Sequence, residues 1–326
     1  MNNCLYIVIP CFNEQEVLPE TSVQLKKKIE TLISTGKIHQ NSRIVLVNDG
    51  SNDSTWDIIS NLYVKDKLFC GISLSNNRGH QNALMAGILT AKEYADMVIT
   101  MDSDLQDDIN AIDEMIDKYL EGCDIVYGVR NLRKKDSFFK RVSAETFYRL
   151  MNLLGVRTVF NHADYRLMSK RTIEGLEQFG EVNLFLRGII PMIGYRTDTV
   201  TYERGKRYAG VSKYTLKKML TFAFEGITSF SVKPIRMISA LGIAIFTFSI
   251  VMLIYIFTRY LTGHTIVGWA SVAVSVWAIG GLVLLSLGVV GEYIGKIYLE
   301  TKKRPRYFIE SFLHDTNNTQ ECDKSN

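Results

Sequence analysis

The sequence predicts an α/β protein: a mostly parallel sheet covered on both faces, then amphipathic interfacial helices and two transmembrane helices. Three observations carry this. Short, continuous apolar runs alternate with helical patterns through the first 130 residues, as strands of a parallel sheet buried on both faces do. A polar cluster follows each run, where such sheets place their ligands. Two long stretches without Asp, Glu, Lys or Arg lie beyond residue 236, each long enough for a helix to cross the ~30 Å hydrocarbon core.

The elements follow in order. Leu5 to Pro10 is the first apolar run, and the loop Cys11-Phe-Asn-Glu14 leads to a helical pattern from Val17 to Ser34. Arg43 to Val47 is the second strand, stopped by Asn48-Asp-Gly-Ser51. Ser54 or Thr55 is placed to cap a helix reaching Lys65, because a short hydroxyl side chain can accept a free N–H of the first turn. Cys70 to Leu74 precedes Asn77-Arg-Gly79 and a helix ending near Ala95. Met97 to Met101 runs into Asp102-Ser-Asp104. A helix from Asp108 to Glu121 and a fifth strand from Asp124 to Val129 complete the pattern.

Composition narrows the class. With 47% hydrophobic and 22% charged residues in 326, the chain is folded, and a net charge of +4 is too mild for a nucleic-acid binder. Its five cysteines (Cys4, Cys11, Cys70, Cys123 and Cys322) form no CxxC pair, so they read as reduced thiols of a cytosolic domain. The apolar run at the N-terminus is too short for a cleavable signal.

Orientation is written in the flanks of the uncharged stretches, Met237 to Thr258 and Ile266 to Gly291. Lys213, Lys217, Lys218, Lys233 and Arg236 precede the first; Lys296, Lys302, Lys303, Arg304 and Arg306 follow the second. The positive-inside rule therefore puts both termini and the large N-terminal domain in the cytoplasm, in a two-span protein of the cell membrane. Tyr214 to Ser231 mixes Leu, Met and Phe with lysines, as an amphipathic helix on a bilayer surface does, with an ordinary surface helix as the alternative. The expected domains are residues 1–212, catalytic; 213–234, juxtamembrane helices; 235–295, the two-helix membrane module; and 296–326, a basic then polar cytoplasmic tail.

Asn13 and Glu14, Asp49, Arg78, and the pair Asp102 and Asp104 fall after successive strands, which points to one shared site. Neither GxGxxG nor GxxxxGK[ST] occurs, so dinucleotide and P-loop readings lose support. Asp102 and Asp104 could hold Mg2+ or Mn2+ beside a substrate phosphate, with Gln106 assisting, provided the chain turns at Ser103. The pair alone reads better as a strand-to-helix turn, and only together with the other strand ends does it read as a metal site. His80 and His162 have no partner at metal-ligand spacing and read as packing or capping residues.

Taken as an ordered set, the blocks Ile9-Pro-Cys-Phe-Asn-Glu14, Val47-Asn-Asp-Gly-Ser51, Asn77-Arg-Gly-His-Gln-Asn82 and Met101-Asp-Ser-Asp-Leu-Gln-Asp107 resemble family 2 glycosyltransferases with a GT-A (Rossmann-like) fold. Ala163-Asp-Tyr-Arg-Leu-Met168, Tyr202-Glu-Arg-x-x-Arg-x-x-Gly-x-Ser-Lys-Tyr214 and the two spans extend the likeness to polyprenyl-phosphate glycosyltransferases, the bactoprenol glucosyltransferases and dolichol-phosphate mannose synthases. The resemblance implies that Pro10, Asn13, Glu14, Asp49, Arg78 and Asp102 bind the nucleotide, and that Asp102, Asp104 and Gln106 bind the metal. It further implies acceptor-phosphate arginines at Arg130 and Arg141, and a closing loop carrying Arg204, Arg207, Ser212 and Lys213. Asp104, Asp164 and Arg207 form its catalytic set. The implied reaction is inverting transfer of a sugar, from UDP-glucose or UDP-N-acetylglucosamine first, to undecaprenyl phosphate for cell-envelope glycan modification. The enzyme would be a homo-oligomer such as a tetramer. A GDP-mannose-dependent mannosyltransferase and a processive polysaccharide synthase are the alternatives, although the Gln-x-x-Arg-Trp block of the latter is absent. A phosphate monoester, with its second pKa of ~6, is already an anionic nucleophile at neutral pH. Asp164 is therefore expected to orient an arginine or the donor sugar rather than to take a proton.

Overall fold

A computed structural model describes residues 3–131, 162–182, 184–203, 205, 233–262 and 268–315. Eight strands form one sheet in the order β7-β5-β6-β4-β1-β2-β3-β8. The first four are β1 (Leu5–Cys11), β2 (Arg43–Asn48), β3 (Phe69–Leu74) and β4 (Met97–Thr100). β5 (Ile125–Arg130), β6 (His162–Ser169), β7 (Thr197–Tyr202) and β8 (Ile309–Leu313) complete it. β1 pairs in parallel with β2 and β4, β2 with β3, and β5 with β7. β6 and β8 run against their neighbours.

Helices cover both faces: α1 (Leu18–Ser34), α2 (Thr55–Lys65), α3 (His80–Ala91) and α4 (Ala111–Leu120), then the shorter α5 (Lys170–Glu177) and α6 (Leu186–Met192). Every residue of β1, β3 and β4 is buried, which is why their sequences are apolar throughout rather than alternating. α3 lies so close to the sheet that a Cβ at Gly87 would stand 2.3 Å from Val8 Cγ1, a contact only glycine permits.

Three local expectations change. Neither Ser54 nor Thr55 caps α2. The Asp53 carboxylate does so instead, accepting from Thr55 N at 3.0 Å and from the Thr55 hydroxyl at 2.5 Å. His80 neither packs nor caps, because Gly79 holds the N-cap position of α3 and the imidazole remains 43% accessible. The third concerns residues 296–326, read from the sequence as a tail. Residues 296–302 continue a helix, and 309–313 return to the sheet as β8, antiparallel to β3.

The described residues divide into two compact units, one gathering the sheet together with residues 303–315 and the other holding residues 233–262 and 268–302. The second contains α7 (Lys233–Leu261) and α8 (Trp269–Lys302). Both are long and apolar enough to cross a membrane, over Ile235–Met252 and Ile279–Lys302, and neither window has a buried residue. Residues 213–232, expected as interfacial helices, lie outside the described residues.

Candidate active site

The topology explains how distant segments share one edge. The carboxyl ends of β1, β2, β3 and β4 point the same way because these strands are parallel. β6 runs oppositely, so its beginning lies at that edge: Thr100 faces Arg166, which sets Asp164 level with Asp102. Thr100 donates its hydroxyl to the Asp164 carbonyl at 2.5 Å.

After β4 the chain turns. Thr21 donates to the carbonyl of buried Ser103 at 2.7 Å, Leu105 takes the left-handed conformation at φ 55°, and Gln106 N–H donates to Asp104 Oδ1 at 3.2 Å. A branched residue at positive φ is strained, and here it is held at the acidic turn. Asp102, Asp104 and Asp164 lie near enough for Asp102 to sense the other two charges.

Asp164 takes two arginines. Arg187, the second residue of α6, grips it with two hydrogen bonds of 3.2 and 3.0 Å, and Arg166 donates to it at 2.5 Å. His80 Nε2 stands 3.6 Å from Asp164 and 3.7 Å from Asp102. Burial alone would raise the Asp164 pKa, but Arg187, His80 and Arg166 together hold it well below the usual carboxylate range. Burial lowers the His80 pKa less than Asp164 and Asp102 raise it, so the imidazolium is favoured. Asp102 goes the other way: burial, then Asp107, Asp164 and Asp104 against the opposing His80, push it up to about 6.

Beside this group Asp107 is buried. Its Oδ1 accepts from the Tyr202 hydroxyl and, at 3.1 Å, from Arg130 Nη2, while Arg130 Nε donates to the Tyr202 oxygen at 3.2 Å. Arg130 is thus anchored at the end of β5, one carboxylate away from Asp102.

The loops after β1, β2 and β3 are laced together. Asn13, left-handed at φ 55°, donates its N–H to Ser51 Oγ and accepts from Asn52 N–H, at 3.0 and 2.9 Å. Glu14 N–H donates to Thr55 Oγ1 at 3.0 Å. Buried Asp49 accepts from the N–H groups of Arg78 and Gly79 at 2.7 and 2.9 Å, so its carboxylate shapes the third loop. Pro10 lies within buried β1, and Arg78 is exposed.

Asp102 and Asp104 offer hard oxygen donors, and a cation would offset both the burial and the neighbouring carboxylates that raise Asp102. That chemistry fits a divalent ion completed by substrate phosphates. Among the described residues, no three or more His, Cys, Asp or Glu form a cage of their own. Of the residues assigned by resemblance, Arg141, Arg204, Arg207, Ser212 and Lys213 lie outside the described residues. The sequence reading missed Arg187, which follows an apolar run with no motif around it, and gave no role to Asp107 or Arg166 although both lie in its blocks. Cys4, Cys11, Cys70 and Cys123 are buried free thiols.

Comparison with known proteins gives this site a context. The model of "Glycosyl transferase family 2" matches residues 6–176. An uncharacterized glycosyltransferase of Bacillus subtilis (strain 168), YkoT, is 53% identical over 95% of this chain and 92% of its own. A bactoprenol glucosyl transferase of Shigella phage SfX is 40% identical over 94% of this chain and 98% of its own. Among solved structures, glucosyl-3-phosphoglycerate synthase from Mycobacterium tuberculosis, in complex with Mn2+, UDP and phosphoglyceric acid, is 15% identical. It covers 69% of this chain and 76% of that one, at a TM-score of 0.44. The chain belongs to glycosyl transferase family 2, and is a glycosyltransferase built on a GT-A-like, mostly parallel sheet.

Proposed function

We propose that this enzyme transfers glucose from UDP-glucose to undecaprenyl phosphate at the cytoplasmic face of the membrane, with inversion at the anomeric carbon. The observation that carries the reading is the 40% identity to a bactoprenol glucosyl transferase, because it runs through the catalytic sheet and both apolar helices alike. Anchored by α7 and α8, the catalytic domain works where a lipid-linked acceptor phosphate is confined.

Pro10, Asn13, Glu14, Asp49 and Arg78 frame the nucleoside end, Asp49 by fixing the Arg78–Gly79 backbone. Asp102 and Asp104, with Gln106, would hold Mg2+ or Mn2+, which would supply the positive charge that offsets the departing diphosphate. The lipid phosphate oxygen attacks the anomeric carbon as the bond to UDP breaks, and no proton need be removed. Asp164 keeps Arg187 and His80 in place around the reacting groups. Arg130 and Arg141 serve the acceptor phosphate, and Arg204, Arg207, Ser212 and Lys213 the loop over the diphosphate.

The test is an assay of the purified protein with Mn2+, undecaprenyl phosphate and a panel of radiolabelled nucleotide sugars. An organic-extractable, acid-labile product from UDP-glucose is expected. Label that stays in the aqueous phase with every donor would overturn the proposal.

A further inference from the structure

We propose that Glu310 of β8 reads the nucleotide base, and does so by accepting a hydrogen bond from a ring N–H. The inference rests on the nucleotide-donor reading above and adds a specificity residue that neither the motifs nor the membrane helices suggest.

A cleft of about 510 Å³ opens above β2, β3 and β8, within the size range of small-molecule sites. Its walls continue the nucleoside loops: Phe12 precedes Asn13, Gly50 follows Asp49, and Asn77 precedes Arg78. Asn76, Trp56 and Glu310 also line it. The sheet order fixes its relation to the acids. β4, which Asp102 follows by two residues, lies three strand spacings from β3, about 14 Å, a separation that a nucleoside diphosphate can bridge. With the diphosphate at Asp102 and Asp104, the base falls in the cleft.

The charge pattern orients the ligand the same way. Glu310 is the only ionisable side chain among the described residues that line the cleft. A carboxylate repels phosphate, so this end suits the uncharged base. Phe12 is 36% exposed and offers a face to a planar ring, and polar side chains surround the slot. Asp49, the acid of the adjoining loop, is 2% exposed and already receives two backbone N–H groups. Glu310 is exposed and enters no hydrogen bond or ion pair among the described residues. It reaches the cleft because β8 is antiparallel: Ile309 pairs with Leu74 and Ser75 N–H donates to the Phe308 carbonyl, so β8 begins where β3 ends.

Uracil presents N3–H and guanine N1–H beside its N2 amino group, whereas in cytosine and adenine only the exocyclic amino group donates, next to a ring lone pair that a carboxylate repels. Glu310 therefore favours uracil or guanine over cytosine and adenine. The experiment is titration calorimetry of UDP, GDP, CDP and ADP against the full-length protein with Mn2+, repeated for Glu310→Gln and Glu310→Ala. The wild type should bind UDP or GDP at least about tenfold more tightly than CDP and ADP, as a charge-assisted hydrogen bond implies. Either substitution should shrink that ratio by about the same factor without moving the thermal midpoint. Discrimination that is the same in all three proteins would overturn the role of Glu310 and leave the donor reading standing. A wild type that binds all four equally overturns it as well. Failure to bind any of the four would bring down both.

Discussion

Replacing Asp164 by Asn tests whether this carboxylate positions or transfers protons. Its side chain is 14% exposed and takes both Arg166 and Arg187, while Arg166 is only 1% exposed and its Nη1 is buried without a partner among the described residues. Breaking a buried pair costs about 3–5 kcal/mol, because one charge remains uncompensated. Arg187 is 33% exposed and can turn to water, and Asn keeps one acceptor oxygen for Arg166. The low end, about 3 kcal/mol, is therefore expected, a fall in Tm of about 6–12 °C for a domain of this size. The pH dependence has a definite sign. A pKa held below the usual range contributes stability that is fully present above pH ~4 and lost only as pH falls through the folded value. The Asp164 carboxylate itself therefore adds a constant part to the gap in Tm from pH 6 to 9, while His80, whose raised pKa rests partly on Asp164, adds a part that fades as pH rises and the imidazolium loses its proton. Asp164 exchanges no proton in that window, so the ratio of wild-type to variant transfer rates should hold or fall with pH and never climb. Adding Arg166→Met should restore much of the stability, by replacing the stranded charge with packing, and none of the activity. Fluorescence-detected unfolding and initial rates across pH 6–9 measure both. A wild-type-to-variant rate ratio that climbs with pH through an inflection in that window would identify a general base and refute the positioning role.

Other perturbations read separate parts of the site. Because Asp102 is pushed up to about 6, metal-free protein should lose stability as pH rises from 4 to 7 and the carboxylate ionises among its neighbours. Asp102→Asn should flatten that slope in EDTA, by thermal unfolding, and abolish the tightening of Mn2+ binding with pH. Gly50→Ala combines a positive φ of 63° with a Cβ only 2.5 Å from Asn77 N. It should cost about 1–2 kcal/mol in backbone conformation alone and displace the loop held by Asp49, seen as weaker UDP binding by calorimetry. Truncation before Tyr307 removes β8 and bares the β3 edge, so light scattering should report aggregation at temperatures the full chain tolerates.

The parallel core was legible because burial on both faces leaves a mark in the sequence. Leu5–Cys11 and Met97–Thr100 are apolar at nearly every position, and alternation with helices gives their direction. β6, β7 and β8 carry no such mark. His162–Ser169 holds Asp164 and Arg166 within the strand, and Thr197–Tyr202 is exposed at three of its six positions. β8 lies at the sheet edge and pairs with a strand more than 230 residues earlier. Such pairing depends on contacts between distant segments, so Ile309–Leu313 looks in isolation like the rest of a polar tail.

The same division runs through the site. Residues at the ends of parallel strands could be collected by one rule, which found Asn13, Asp49, Arg78 and Asp102. Arg166 defies composition, since arginine is rarely buried without a compensating partner, and only the fold brings Asp164 to it. How charge is shared could not be read from the blocks at all. Asp107 has Arg130, and Asp164 has Arg166 and Arg187, each in direct hydrogen-bonded contact. Asp102 shares the more distant His80 with Asp164, and the surrounding carboxylates act against its ionisation. An incoming cation gains least where a guanidinium already neutralises the acid and most where repulsion is unrelieved. That comparison, more than the Asp-x-Asp spacing, favours Asp102 as the anchor of a metal-bound diphosphate and gives Asp164 the task of ordering the cationic side chains around it.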